Sequence, residues 1–304
     1  MTRPLESFKF AAILLLLAVA VLALQKAADY RFAPAGAFPS SNYTIPLGVS
    51  DDHIVGYYST TGANNAYVQM GTTFVDAAPF SSVTSYLTSI NKQGTAAGGY
   101  CPRGCNEEAG AHGYTYDVTT GKMNVIDFPL PGAATTAYGI NDAGTVVGGY
   151  CPSATSCPQG AFNPASDGFV EKAGTFTTLN YPGAQATSAF AINDPGVVVG
   201  YYLISNTGPH AFLYESGKFK NIDFPGSGYT IATAINNHGV VAGLFSSSTG
   251  VHGYTYSNGT FTQVDKPGAV STAVTGINDL GELVGTFNKT IGQENFKAVP
   301  ATGR

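Results

Sequence analysis

The residues of this chain that are able to carry chemistry are few, and they recur at regular intervals. Four cysteines form two close pairs. Polar side chains open five similar short stretches further along the chain: Asn65, His112, Asp167, His210 and His252. Such a set could form a ring of ligand-binding or metal-binding groups. The sequence favours the alternative, in which each group bonds a neighbouring loop within its own repeat, and it predicts that His112, His210 and His252 are structural, equivalent and bonded to a carbonyl or hydroxyl group. No Gly-x-Ser-x-Gly elbow, phosphate loop or His-Glu-x-x-His motif occurs in the sequence.

The cysteines are predicted to form local disulfides, Cys101 with Cys105 and Cys151 with Cys157, because close pairs in an exported protein usually oxidise. Cross-pairing between the two loops is the alternative. A site formed by all four thiolates is the weaker alternative, since their spacings differ from those of zinc motifs. We therefore expect no metal and no cofactor.

An internal repeat positions these residues. The segment Ile140-Asn141-Asp142-Ala143-Gly144 leads into Val146-Val147-Gly148-Gly149-Tyr150, and the pattern recurs along the chain. One glycine of this pattern is present in six copies, spaced 42 to 52 residues apart: Gly56, Gly98, Gly148, Gly200, Gly243 and Gly285. A second series follows the prolines of Phe-Pro-Gly-like turns: Pro34, Pro79, Pro129, Pro182, Pro225 and Pro267.

Each repeat contains four short alternating stretches separated by turn residues, which is typical of a propeller blade. The sequence therefore predicts an all-β, six-bladed β-propeller. Residues 30–34 resemble the end of a fourth strand, whereas Phe296 to Val299 resemble a third strand with no fourth after it. We expect the N-terminal strand to complete the last blade and close the ring. An open β-solenoid is the alternative.

Other acidic residues are interpreted as structural. The position at the end of the fourth stretch is predicted to form turns, and it holds Asp76, Asp127, Asn180, Asp223 and Asp265. Asp51-Asp52 and Glu107-Glu108 are adjacent pairs. Adjacent residues on a strand face opposite ways, so these pairs are poorly suited to acid–base catalysis.

The N-terminus carries an export signal. Arg3 and Lys9 precede an apolar run over residues 10–24, which is shorter than the roughly 20 residues of a spanning helix. We predict a signal peptide or N-terminal anchor in residues 1–29 and one repeat domain in residues 30–304. Contact with a membrane is expected only through an uncleaved N-terminal segment. The formal net charge of −5 and the lack of a basic stripe argue against a nucleic-acid partner.

The repeats resemble the HAF-repeat family of bacterial extracellular proteins. The family motif stands here as His210-Ala211-Phe212, with His112-Gly113-Tyr114 and His252-Gly253-Tyr254 as variants. The resemblance covers roughly residues 45–300. It implies a location outside the cytoplasm, at the cell surface, in the periplasm or secreted, and it implies no activity.

For function, the sequence favours a monomeric binding or scaffold module at the cell surface, with a glycan or a surface protein as partner. No catalytic residue is assigned, and an enzymatic role is the less favoured interpretation. The alternatives are a hydrolase or lyase that acts on extracellular polysaccharide from the axial channel, and a purely structural envelope protein. Fold alone does not separate these three hypotheses.

Overall fold

Six four-stranded antiparallel sheets stand as blades around a central axis. The computed structural model describes residues 29–60, 62–78, 84–102, 111–152, 167–205 and 207–301. Every regular element within these ranges is a β-strand, and no helix there is long and apolar enough to cross a membrane. The predicted export segment lies outside the described residues.

The strands follow the repeat. Blade 1 holds β2 (Tyr43–Val49), β3 (His53–Ser59), β4 (Asn64–Met70) and β5 (Thr73–Asp76). Blade 2 holds β6 (Thr84–Ile90), β7 (Thr95–Cys101), β8 (His112–Asp117) and β9 (Met123–Ile126). Blade 3 holds β10 (Ala134–Ile140), β11 (Val146–Cys151), β12 (Asp167–Lys172) and β13 (Thr175–Leu179).

The second half of the chain repeats this order. Blade 4 holds β14 (Ala186–Ile192), β15 (Val198–Leu203), β16 (His210–Glu215) and β17 (Lys218–Asn221). Blade 5 holds β18 (Tyr229–Ile235), β19 (Val241–Ser247), β20 (Gly250–Ser257) and β21 (Thr260–Val264). Blade 6 holds β22 (Ser271–Ile277), β23 (Leu283–Asn288), β24 (Gln293–Pro300) and the N-terminal β1 (Tyr30–Ala33).

The ring closes as the sequence predicts. Strand β1 pairs antiparallel with β24, from Tyr30 opposite Pro300 to Ala33 opposite Lys297. We call the four strands of each blade A to D, in hydrogen-bonded order. Each strand A contacts the A strands of both neighbouring blades, and β22 contacts β2. The A–B and C–D turns share one face, the turn face, and the B–C loops and D–A connections form the opposite loop face.

The repeated glycine of strand B is explained by a β-bulge in strand A. In blade 4 the pairing shifts between Ala189 and Ala191, so Phe190 is the extra residue. The backbone bends there, and a Cβ added to Gly200 would lie 1.9 Å from the Ser188 carbonyl oxygen. The other five glycines meet a strand A carbonyl at 1.9 to 2.1 Å in the same way. No residue other than glycine fits this approach without a shift of the backbone.

Opposite each of these glycines, strand C buries one aromatic side chain against the neighbouring sheets. The six residues are at most 1% exposed: Tyr67, Tyr114, Phe169, Phe212, Tyr254 and Phe296. A second set of rings joins adjacent blades, because the aromatic of the D–A turn stacks on the last aromatic of the next strand B. Phe224 lies over Phe245 in this way, with ring centroids 3.6 Å apart. These contacts form the apolar core between the sheets.

A chain of asparagine amides links the A–B turns around the axis. The side-chain Nδ2 of each Asn of the Ile-Asn motif donates to the backbone carbonyl of its counterpart in the next blade. The links run from Asn91 to Asn141, Asn193, Asn236 and Asn278, and then to the Ser50 carbonyl, at 3.0 to 3.3 Å. Blade 1 has Ser50 in place of Asn, so this series of amide donors ends there.

Candidate functional site

The five predicted site residues occupy one structural position at the loop-face end of strand C. Each lies opposite the last aromatic of strand B, as His210 lies opposite Tyr202 and His252 opposite Phe245. The register adds a sixth member, Glu294 of blade 6, opposite Phe287. The sequence comparison missed Glu294 because Glu294-Asn295-Phe296 lacks the histidine and the small residue of the repeat motif.

Each of the three histidines pairs with the carboxylate at the end of strand D in its own blade. The Nδ1–Oδ2 distances are 2.8 Å for His112 with Asp127, 2.7 Å for His210 with Asp223, and 2.9 Å for His252 with Asp265. These aspartates were predicted to form turns, and the structure shows that they also orient the imidazole rings. The pairing fixes which ring nitrogen faces the loop.

The other three blades vary this arrangement. In blade 3 the donor and the acceptor change places: the carboxylate of Asp167 is on strand C, and it accepts a hydrogen bond from the side-chain amide of Asn180 at the end of strand D. In blade 6 Glu294 pairs with Lys289 at 2.6 Å. In blade 1 the Asn65 amide makes a 3.5 Å contact with the Ala63 carbonyl. The position is therefore occupied by a different polar group in several blades.

The histidines are also held from the side and from the loop. The rings of Tyr202 and His210 are stacked with centroids 5.3 Å apart. His210 Nε2 lies 3.1 Å from the Thr207 hydroxyl, and His252 Nε2 lies 2.9 Å from that of Thr249. The prediction that these imidazoles bond a carbonyl or hydroxyl group of a neighbouring loop agrees with these two contacts of His210 and His252.

His252 also contacts a serine, and the order serine–histidine–aspartate is that of an acyl-transfer site. Ser247 Oγ lies 3.1 Å from His252 Nε2, whose Nδ1 faces Asp265. A serine nucleophile needs this order of groups and also donors for an oxyanion. Here the Thr249 backbone N–H donates to Ser247 Oγ at 3.0 Å, and the same Nε2 also contacts the Thr249 hydroxyl. The geometry favours a loop bonded to the blade over an activated nucleophile.

The described residues contain no group of three or more histidine, cysteine or acidic side chains placed to hold a metal ion. The histidines therefore do not share one ion within these ranges. Each belongs to its own blade, next to its own aspartate.

A pocket of about 280 Å³ lies beside His210 on the loop face. His210 and Asp223 form one wall, and the turn from Phe224 to Gly228 and the side chain of Tyr229 complete the lining. Phe224 is itself buried, because its ring stacks on the Phe245 ring of the next blade, so Tyr229 is the partly exposed aromatic residue of the lining. The pocket thus combines charged, hydroxyl and aromatic groups held by the fold.

The axial end of the turn face gathers a second set of polar groups that the sequence did not predict. Asp51, Asp142, Asp194, Asn237 and Asp279 line a cavity of about 90 Å³ together with Lys92. The interpretation of Asp51-Asp52 as residues on a strand is wrong, because both lie in the turn between β2 and β3. Asp51 therefore reaches the axis region from a turn, where alternation along a strand does not apply.

Most of these groups bond to one another across blades. The backbone N–H of Asp142 donates to the Asp194 carboxylate at 2.8 Å, and that of Asn237 donates to Asp279 at 2.7 Å. Lys92 Nζ lies 2.7 Å from Asp279 Oδ2. The hydrogen bond and charge of Asp279 raise the pKa of Lys92. Although burial opposes the shift, Lys92 and the Asn237 N–H hold the pKa of Asp279 below its usual value.

Two residues of the strand A bulges narrow the axial space below this cavity. The rings of Tyr138 and Phe190 lie 4.7 Å apart between centroids. Burial raises the pKa of the Tyr138 hydroxyl well above its usual value, with smaller contributions from Tyr86 and Tyr201. These two rings therefore occupy part of the axial space beside blades 3 and 4.

None of the cysteines within the described ranges is a free thiol. Cys101 and Cys151 end the B strands of blades 2 and 3, at equivalent positions. Their predicted partners, Cys105 and Cys157, lie outside the described residues, as do Glu107 and Glu108. The disulfide pairing remains a prediction.

The fold defines a six-bladed β-propeller whose ring is closed by an N-terminal strand. No family model matches the chain, and no curated protein matches it. Among solved structures, the β-propeller domain of the Trilobed protease from Pyrococcus furiosus is similar with a TM-score of 0.50 and 10% identity. That match covers 86% of this chain and 94% of the other.

Two further solved structures show the range of proteins with this architecture. A mutant of the Aleuria aurantia lectin in complex with α-methyl-L-fucoside has a TM-score of 0.52 at 12% identity, covering 89% of this chain and 95% of the lectin. The Pyrococcus horikoshii acylaminoacyl peptidase has a TM-score of 0.51 at 12% identity, covering 82% of this chain and 42% of the peptidase. At these identities the likeness shows the fold alone.

Proposed function

We propose that this protein is an extracytoplasmic binding module that holds glycans in pockets on its loop face. The observation that carries the proposal is the pocket of about 280 Å³ beside His210, with the imidazole–carboxylate pair in its wall. Its size is close to the lower limit of small-ligand sites, roughly 300 Å³, which suits one sugar ring. The export segment predicted in residues 10–24 supports the location.

The lining has the chemistry that a neutral sugar requires. Asp223 Oδ1 accepts one backbone N–H and can accept a sugar hydroxyl as well, whereas both ring nitrogens of His210 are already bonded, to Asp223 and Thr207. Tyr229 supplies a partly exposed aromatic residue for the C–H face of the sugar ring. Asp223 is held by the Ala211 backbone N–H at 2.9 Å and by the Asn221 amide at 2.9 Å, so its position does not depend on a ligand. The lectin that shares this fold was solved with a bound fucoside, so the fold is compatible with a glycan site.

Repetition provides more than one binding site. The histidine–aspartate pairs of blades 2 and 5 stand at the position of the His210 pair. Several weak sites on one rigid ring raise the avidity for a polymer that reaches two of them at once. We therefore expect weak binding of a monosaccharide and much tighter binding of a polysaccharide.

The axial cavity gives less support to the alternative of a hydrolase or lyase. Its volume of about 90 Å³ is well below the roughly 300 Å³ of small-ligand sites. Its carboxylates accept hydrogen bonds from neighbouring turns, and the lowered pKa of Asp279 favours the ionised form over a proton donor. A purely structural role predicts no saturable ligand at all.

A glycan array with the purified domain, followed by calorimetry on each positive glycan, tests the proposal. Asp223→Asn should weaken binding several-fold or more, because the neutral amide replaces a charged acceptor in the pocket wall. Glu215→Gln is the matched control, since Glu215 is an exposed carboxylate on the opposite face of the same blade. The same glycans are assayed for new reducing or unsaturated ends.

Three results would count against a glycan-binding module. One is the absence of any saturable glycan. A second is equal affinity in Asp223→Asn and Glu215→Gln, which would place the site elsewhere. The third is cleavage of the bound polysaccharide, which would support the hydrolase or lyase hypothesis instead.

A further inference from the structure

A second pocket lies on the turn face at the seam between blade 1 and blade 6. Its volume is about 320 Å³, and its polar lining residues are Ser50, Asp51, Asp52, His53, Gln69 and Lys297. An apolar base is formed by Ala35, Val49 and Ile54, which pack together with Val284. The pocket is within the size range of small-ligand sites, and it is separate from the loop-face pocket beside His210.

One lining residue differs in type from its counterparts in the other blades. Gln69 of strand C pairs with Ile54, and the same register position holds Tyr116, Tyr214 and Tyr256 in blades 2, 4 and 5, Glu171 in blade 3 and Ala298 in blade 6. Tyr256 packs in the core between blades 4 and 5. The amide of Gln69 is smaller than a phenol ring, so it leaves more space at the seam between blades 6 and 1 than a tyrosine would.

The same substitution leaves an acceptor without a donor. Gln69 is 9% exposed. Its Nε2 donates to the carbonyls of Ala35 and Gly71, both at 2.9 Å, and this fixes the orientation of the amide. Its Oε1 is buried and finds no hydrogen-bond partner among the described residues. A buried acceptor in this state costs free energy that a donor from a ligand would recover.

The charges around the pocket decide which donor fits. Lys297 is the one cation of the lining, and its Nζ lies 2.9 Å from Glu282, so its charge is balanced by the protein. Asp51 and Asp52 are exposed in the β2–β3 turn, and Asp52 makes no ion pair with any described residue. The surplus is therefore negative and favours a cationic donor.

We propose that this seam pocket binds a small polar ligand through a primary ammonium group. Solvent does not reach Gln69 Oε1 in this structure, so ligand entry must first shift the side chains around it. The ammonium then donates one hydrogen bond to this oxygen and is balanced by the Asp52 carboxylate at the rim. The remaining polar atoms of the ligand meet Ser50 and His53. Hydrogen bonds of this charge-assisted kind are stronger than neutral ones, so the ammonium distinguishes the ligand from a neutral one of the same shape.

Glucosamine tests this directly, because glucose and N-acetylglucosamine keep its ring and remove the charge. Binding is measured at pH 6 by calorimetry and by the rise in Tm with ligand concentration. We expect glucosamine to bind, and the two neutral sugars to bind at least tenfold more weakly. The loop-face variant Asp223→Asn should bind glucosamine like the unmodified protein, which separates this site from the one proposed above.

Two variants locate the site. Asp52→Asn keeps the side-chain shape and should lower the affinity for glucosamine about tenfold or more, whereas Glu215→Gln removes one exposed charge of the same face and should change nothing. Gln69→Tyr restores the residue of three other blades, fills the pocket and should abolish binding without loss of Tm. Equal binding of glucose, no binding of glucosamine at millimolar concentrations, or equal affinities of Asp52→Asn and Glu215→Gln would overturn the proposal.

Discussion

Replacement of one asparagine of the axial series should destabilise the whole ring. Asn193 is 4% exposed and makes two bonds that no other side chain replaces. Its Oδ1 accepts the Val197 backbone N–H at 2.8 Å, and its Nδ2 donates to the Asn236 carbonyl of the next blade at 3.1 Å. Asn193→Ala removes both bonds and leaves the backbone turn itself unchanged.

The magnitude is derived from what each partner retains. The Val197 N–H is buried and loses its acceptor, which costs about 1–3 kcal/mol. The Asn236 carbonyl still accepts the Gly239 N–H at 3.0 Å, so the loss there is nearer the net value of one bond, about 0.5–1.5 kcal/mol. We expect a fall of about 1.5–4.5 kcal/mol in the free energy of unfolding.

Urea unfolding followed by tyrosine fluorescence measures this change, since the chain has 18 tyrosines and no tryptophan. Asn124→Ala is the matched control, because Asn124 is an exposed strand residue and its loss should change stability by no more than about 0.5 kcal/mol. A loss for Asn193→Ala that does not exceed the control would refute the account of the asparagines as the link between blades.

Three further outcomes are expected. Lys92→Met should lower the free energy of unfolding by at most about 1 kcal/mol, because the ion pair with Asp279 is partly exposed. The pKa of Lys92 is raised and that of Asp279 is lowered, so the contribution of the pair should be lost as pH rises through the pKa of Lys92 or falls through that of Asp279. Urea titrations of the variant and the unmodified protein across pH measure this. Deletion of residues 30–40 should expose an edge of blade 6 and sharply lower Tm with aggregation; a truncated domain that melts like the full one would contradict closure. A fluorophosphonate probe should leave Ser247 unlabelled in intact-mass measurements, and labelling that Asp265→Asn abolishes would show an activated serine.

The architecture was predictable because its determinants lie within each repeat. The glycine before the aromatic and the proline of the turn recur with the same period, and both can be recognised in a single sequence. The closure by β1 followed from the same reasoning, since residues 30–34 match the end of a fourth strand and pair as expected with β24. The cause of the glycine was not predictable, because the carbonyl that excludes a Cβ at Gly200 belongs to a bulge in another strand.

The polar sites were only partly predictable because their contacts cross between repeats or between distant strands. His210 and Asp223 were each identified, but as two unrelated positions of the repeat. Only the strand pairing shows that His210 Nδ1 and Asp223 Oδ2 lie 2.7 Å apart. The Asn-Asp turn joins strands A and B of its own blade, but Asp194 also accepts a hydrogen bond from the turn of the previous blade, which the repeat alone did not indicate. Spacing within one repeat contains no information on how the next blade is rotated around the axis.

The distribution of variation among the blades, taken together with the pockets, indicates where binding is to be sought. The buried aromatic of strand C keeps its type in all six blades. The loop-face position of strand C, in contrast, changes from asparagine to histidine, aspartate and glutamate. Gln69 stands where three other blades have tyrosine, and it lines the seam pocket. Variation alone does not indicate a ligand, because exposed positions vary at little cost in stability. The loop-face rim and the seam are the surfaces to test because each borders a pocket of ligand size.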